Sequence, residues 1–184
     1  MLSPDQVQSS LPSNNSLPKG WHLALMGSTP TLTEGAEATE NCGSETGTSC
    51  AGLTAAGRIS INGPQTTEEF KADADEQYVA IQIFSFDSAE NATVAMKALM
   101  ATVRKDAEGD TPTKPLKISA GAEETDAFFE EISGKYSTDV SMRTGAVVIK
   151  MSGYDLKKTD IAGVVAKLQV DRITKAAHGK NPDA

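Results

Sequence analysis

The sequence predicts an α+β fold: a mostly antiparallel sheet of about five to seven strands, with two main helices packed on one face. Three observations predict it. Tyr78–Phe86 is β-branched and aromatic, and apolar on both faces, as a central strand covered on both sides would be. It runs directly into Asp87-Ser-Ala-Glu90, a capping-box-like start, after which Ala92, Met96, Leu99 and Val103 recur at helical spacing. The strands further along are joined by short turns, and short turns force antiparallel pairing.

The elements follow in order. Residues 1–20 are polar and punctuated by Pro4, Pro12, Pro18 and Gly20, which reads as flexible coil with one helical turn around Asp5–Leu11. Trp21–Met26 reads as a strand ending at Gly27-Ser-Thr-Pro30. The polar, Glu-rich stretch 31–48 reads as irregular, and Ala51–Gly57 as a short helix. Arg58–Ile61 alternates like a strand and stops at the turn Asn62-Gly-Pro64. After the central strand, Asp87 caps a helix that Gly109 stops. Leu116–Ser119, Thr125–Ile132 and Thr138–Arg143 read as strands, and Thr144-Gly145 turns the chain tightly into Ala146–Met151. The last helix starts near Thr159-Asp160, carries Ile161, Val164, Val165, Leu168 and Ile173, and closes near Gly179. Residues 180–184 are expected to be flexible.

At 184 residues the chain fits one domain. Its 25 Asp and Glu against 17 Lys and Arg give a formal charge of -8. Such a field repels phosphate backbones, and the densest basic sites are only the pairs Arg104-Lys105 and Lys157-Lys158. Nucleic acid and anionic membrane are therefore not expected as partners, and the acidity serves solubility. No run approaches the roughly 18 apolar residues of a membrane span. The start, Met1-Leu-Ser-Pro-Asp-Gln6, has neither the basic beginning nor the apolar stretch of a signal peptide. The chain is thus either cytosolic or the remainder after loss of an export or lipid anchor, and the cysteines favour the second.

Cys42 and Cys50 flank Gly43–Ser49, a segment with nothing apolar in it, so burial cannot order it. A disulfide would pin it, with a chain-entropy gain of about 2.5 kcal/mol. A metal site needs two further ligands, and the only histidines are His22 and His178. A redox pair is disfavoured by a spacing far from Cys-x-x-Cys. The disulfide is the expected state, two free thiols its rival, and a disulfide implies an oxidising compartment outside the cytoplasm.

Catalytic patterns are missing. No phosphate-binding glycine loop, His-Glu-x-x-His or Gly-x-Ser-x-Gly occurs. Asp73-Ala-Asp-Glu76 lacks the central glycine and closing glutamate of a calcium loop. His22 sits beside Trp21 at a strand start, and His178 in a last helical turn, where a cation is favourable. Glu123, Glu124, Glu130 and Glu131 could pair for catalysis, but they also describe an exposed strand edge. No enzyme, cofactor or metal is expected; a hydrolase with dispersed carboxylates is the residual rival. Two features suit binding. Phe128 and Phe129 point to opposite faces of a strand, so one ring can contribute to a cleft, and the first main helix carries Met96 and Met100, adaptable residues that serve binding surfaces as well as cores; Trp21 joins the two phenylalanines as a candidate ligand contact.

Four segments carry a family resemblance: Leu17-Pro-Lys-Gly-Trp21; Cys50-Ala-Gly-Leu53; Val79–Phe86 leading into Ser88-Ala-Glu90; and Arg143–Ile149 before the last helix. Together they resemble the extracellular sensor-type domains of mycobacterial receptor Ser/Thr kinases and related actinobacterial lipoproteins. Members often carry two disulfides, where this chain can form one. The resemblance implies an exported, non-enzymatic domain that binds a ligand in a cleft beside its sheet, and it transfers no site residue. The leading expectation is an extracytoplasmic ligand-binding or sensor-like domain for a small molecule or extracellular protein. The second is a secreted interaction module, an inhibitor or docking subunit, acting through Thr31–Cys50.

Overall fold

The computed structural model describes residues 1–24, 29–46, 50–63, 77–107, 112–132, 135–155 and 164–184. Among them lie eight strands: β1 (His22–Leu23), β2 (Thr31–Glu34), β3 (Leu53–Asn62), β4 (Tyr78–Phe86), β5 (Lys114–Pro115), β6 (Glu124–Ile132), β7 (Lys135–Thr144) and β8 (Val147–Tyr154). Four helices accompany them: α1 (Pro4–Ser10), α2 (Gly35–Thr46), α3 (Ala89–Asp106) and α4 (Ala166–Ala177). The strands form one sheet in the order β1-β3-β4-β8-β7-β6-β5, with β2 also pairing β3. Every pairing is antiparallel. The fold is α+β.

Alternation along the strands sorts the core into two layers. Val79, Ile81 and Ile83 of β4, with Val147, Ile149 and Met151 of β8, face α1 and α4. Phe84, Phe86 and Val148 face α3 together with Ala38 and Cys42 of α2. The two main helices therefore lie on opposite faces, not on one as expected. The reason was present in β4, which is apolar on both sides and needs a cover on each. Burying each of these large side chains contributes about 1.5–3 kcal/mol.

Several local expectations are corrected. Residues 51–57, expected as helix, enter β3 at Leu53. Their small side chains serve packing: a Cβ on Gly57 would stand 2.9 Å from Val7 Cγ1 and 3.2 Å from Leu11 Cδ1, so glycine lets α1 lie directly on the strand. The stretch 31–48, expected as irregular, contains β2 and α2, with Ala38 and Cys42 buried one helical turn apart. The cap of α3 is Ser88, whose Oγ accepts from the Asn91 amide at 3.2 Å. Asp87 instead donates its own amide to the Gly52 carbonyl at 2.8 Å and accepts from Asn91 Nδ2 at 2.7 Å, which holds it outside the helix. The short strand expected at Leu116–Ser119 pairs two residues earlier, at Lys114–Pro115, on a sheet edge where proline costs no ladder bond. The turn at Asn62-Gly-Pro64, the helix start at Thr159-Asp160, the Asp73–Glu76 segment, Lys157-Lys158 and Ile161 fall wholly or partly outside the described residues.

The two ends make contacts with each other and with the body of the fold. Ser3 and Gln6 form a capping box with Pro4 in the first turn, and Leu2, Val7 and Leu11 are buried. Arg172 of α4, itself buried, donates to the carbonyls of Ser9 at 2.8 Å, Ser10 at 3.0 Å and Leu11 at 2.7 Å, and to Asp183 Oδ1 at 2.6 Å. Gln169 Nε2 adds a bond to the Ser10 carbonyl at 3.0 Å. One side chain thus clasps the start of the chain to its end. At the end of α4, Gly179 takes a φ of +68° while Lys180 and Gly179 donate to the carbonyls of Lys175 and Ala176, a Schellman close.

Candidate functional site

Where α3 does not reach, the sheet face opposite α1 turns polar. Cα register sets Arg58, Gln82, Lys150 and Ser141 in one row across β3, β4, β8 and β7. Ser60, Ala80, Ser152 and Asp139 form the next row. These positions are two residues in step from Ala56, Phe84 and Val148, so they share the α3 face. At the far end of that face the rings of Tyr78 and Tyr154 lie 6.2 Å apart.

A groove of about 150 Å³ opens where β2 and α2 meet this face. Ala56, Gly57 and Phe84 form its apolar part, and Cys42 its wall. Thr31, Thr33, Arg58 and Gln82 complete it with hydroxyls, a guanidinium and an amide. Space of this size takes a body of about benzene's bulk and lies below the roughly 300 Å³ of a drug-sized pocket. The wall is fixed covalently, because Cys42 and Cys50 are bonded, with both residues buried. The disulfide that ties α2 to the start of β3 therefore also shapes the groove.

Asp139 is the titratable group with a clear perturbation on this face. Burial raises its carboxyl above the ordinary range, against the opposing pull of a 2.7 Å hydrogen bond from Ser152 Oγ and the charge of Lys150. Glu123 and Glu124 serve structure. Glu123 accepts from Arg143 Nη1 at 2.7 Å and from the Gly145 amide at 3.0 Å, while Glu124 accepts from Arg143 Nε at 3.3 Å. That clamp fixes the β7–β8 turn, where Gly145 has a φ of +56°. His178 Nδ1 donates to the Thr174 carbonyl at 2.7 Å and closes the last turn of α4. Among the described residues no group of three or more His, Cys, Asp and Glu is arranged to hold a metal ion. Among the same residues no helix is long and apolar enough to cross a membrane.

The three aromatic residues singled out from the sequence are not brought together. Trp21 is half-buried against the α4-side core at the β1 edge. Phe128, near the opposite edge, is buried in the α3-side core, with the Arg104 guanidinium 5.1 Å from its ring centroid and ion-paired to Asp126. Phe129 is buried too, edge-on to Tyr136 at 5.8 Å and 5.9 Å from Lys114 Nζ. Strand alternation puts the two phenylalanines on opposite faces, as expected, but both rings have covers. The groove residues were missed in the sequence. The available signal was Gln82, a polar residue inside the most apolar strand, opposite Arg58, the one charge in β3.

An antiparallel α+β sheet with helices on both faces and a disulfide-walled groove on one of them defines the class. No family model and no curated protein matches the sequence. The fold is similar to the crystal structure of the extracellular domain of PknH from Mycobacterium tuberculosis, with a TM-score of 0.60 over 96% of this chain and 97% of that one. The two sequences are 11% identical, so the likeness is one of fold.

Proposed function

We propose that this chain is an extracytoplasmic, sensor-like binding domain without catalytic activity, secreted or tethered at the cell surface, whose ligand sits in the groove between β2, α2 and the β3–β4 face. The observation that carries the reading is the groove itself, where apolar side chains and polar groups line one small space. Two further facts support it. The nearby disulfide suits an oxidising compartment. The fold is that of a domain whose crystal structure is described as extracellular. Native mass spectrometry of protein isolated from its own source tests the proposal. A co-purifying small molecule, lost on Ala56→Trp, which fills the groove, is the expected result. A bound mass that survives Ala56→Trp would place the ligand elsewhere and sink the groove assignment.

A second reading, a secreted docking module acting through Thr31–Cys50, draws support from β2 lying at a sheet edge and pairing only β3 among the described strands. The same spectra separate the two, since a docking module would carry a protein mass instead.

A further inference from the structure

The disulfide is placed where it governs the groove more than the fold. Stabilisation by a cross-link grows with the length of the loop it closes, and Cys42 and Cys50 are only 8 residues apart. The α1–α4 side of the sheet has fasteners of its own. Ser85 Oγ accepts from the Leu2 amide at 2.9 Å and donates to the Leu2 carbonyl at 3.0 Å, and Arg172 binds the two ends of the chain. The core on that side contains neither cysteine. Helix α2 is held differently. Among its described side chains only Ala38 and Cys42 are buried, in one cluster with Cys50, Leu53 and Phe84. Its 12 residues are about the fewest that persist as a helix alone in water, and Thr39 and Gly43 lower its helical propensity further. Among the described residues that line the groove, Cys42 is the one that α2 supplies.

Building on the groove reading above, we infer that the Cys42–Cys50 bond is a redox gate: its reduction frees α2 from β3 and dismantles the groove, and its reoxidation rebuilds it. The reductant is a dithiol. One of its thiolates attacks a sulfur of the bond, the S–S bond breaks, and the other cysteine leaves as a thiolate and takes a proton. The dithiol's second sulfur then displaces the cysteine held in the mixed disulfide. Two electrons and two protons have by then passed to the protein, and the dithiol has become a disulfide. A disulfide oxidant runs the same steps backwards. In the reduced chain Ala38 and the small Cys42 side chain are the buried anchors among the described part of α2. Strand β2 keeps its four register pairs with β3. The wall therefore moves away from Thr31, Thr33 and Phe84 while the sheet stays whole.

Hydrogen exchange of the full chain tests the gate, in the oxidised form and after dithiothreitol, with complete reduction verified by intact mass. Exchange across α2 should accelerate by roughly 50- to 100-fold on reduction, the equilibrium equivalent of closing so short a loop, and should recover with glutathione disulfide. Helices α1 and α4 and strands β6 to β8 should be unchanged. The double variant Cys42→Ser, Cys50→Ser should exchange like the reduced chain, with or without dithiothreitol. Benzene, whose bulk the groove matches, then reads the site itself. It should shift the amides of Thr31, Thr33 and Ala56 saturably in the oxidised chain and bind at least about tenfold more weakly to the reduced one. Unchanged α2 exchange after complete reduction, acceleration spread over the whole chain, or equal benzene affinity in both forms would overturn the gate. Benzene that moves none of those amides in either form would instead sink the groove reading, with α2 exchange still deciding the gate.

Discussion

Replacing Arg172 by methionine should loosen the clasp between the two ends of the chain, and its cost can be worked from the contacts. Methionine keeps the stem's apolar volume and removes every donor. The Ser10 carbonyl keeps Gln169 as a partner, whereas the Ser9 and Leu11 carbonyls lose the guanidinium. A buried acceptor left unpaired costs about 1–3 kcal/mol, which the Leu11 carbonyl meets in full; the part-buried Ser9 carbonyl costs less, and the lost charged bond to Asp183 adds about 1.5–3 kcal/mol. Relief of the guanidinium's own desolvation offsets part of this, and a net loss of about 3 kcal/mol is expected. Helix α1 cannot simply detach to avoid that cost. It has seven residues, too few to persist alone, and release would expose Leu2, Val7 and Leu11 at about 1.5–3 kcal/mol each. Urea unfolding should therefore show the loss as a lower midpoint with an unchanged slope. Hydrogen exchange across residues 1–12 should accelerate by about 100-fold, the equivalent of that free energy. A loss below about 1 kcal/mol together with unchanged exchange would refute the clasp.

Three other perturbations separate structural from binding roles. Reducing the Cys42–Cys50 bond should cost about 2.5 kcal/mol and shift the amides of Thr31, Thr33 and Ala56 while the α1–α4 side stays unchanged; complete unfolding would contradict this. Asp139→Asn should raise the melting temperature at pH 7. The wild-type carboxyl titrates above its unfolded value, so its contribution is fully present below the unfolded carboxylate pKa of about 4 and is lost as pH rises through the folded pKa. The advantage of the asparagine variant in thermal melts should shrink toward pH 4, and an advantage that grows on acidification would refute the assignment. Phe128→Ala should cost about 3–5 kcal/mol in urea unfolding without changing the affinity of any groove ligand; weakened binding would return Phe128 to the site.

What could be read from the sequence followed from patterns that are local and strong. Tyr78–Phe86 matches β4 residue for residue, because β-branched and aromatic density needs no tertiary context to be recognised. The hairpin at Gly145 was legible for a similar reason, since a residue with positive φ at a two-residue turn is glycine's position. Helix α1 was underread although Ser3-Pro4-Asp5-Gln6 carries both a capping box and a first-turn proline; the prolines that follow drew the reading toward coil. Ala55-Ala56-Gly57 resembled helix because small residues carry little periodicity. The absence of a side chain at Gly57 is explained by α1 lying on the strand, a contact between segments about fifty residues apart. The groove was illegible for the same reason. It is assembled from β2, α2, β3 and β4, and no spacing within one segment reveals that Thr31, Arg58 and Gln82 face one space. The disulfide was within reach because its two cysteines lie eight residues apart around a segment with no apolar anchor.

Hydrogen exchange of the intact, oxidised chain, with and without the low-molecular-mass fraction of its source medium, places the ligand by position. Slowed exchange confined to β2, α2 and the Ala56–Arg58 stretch of β3, and absent from Ala56→Trp, is the expected result. Protection gathered instead at Trp21 and β1, or along β5 and β6, would show that binding takes place away from the groove.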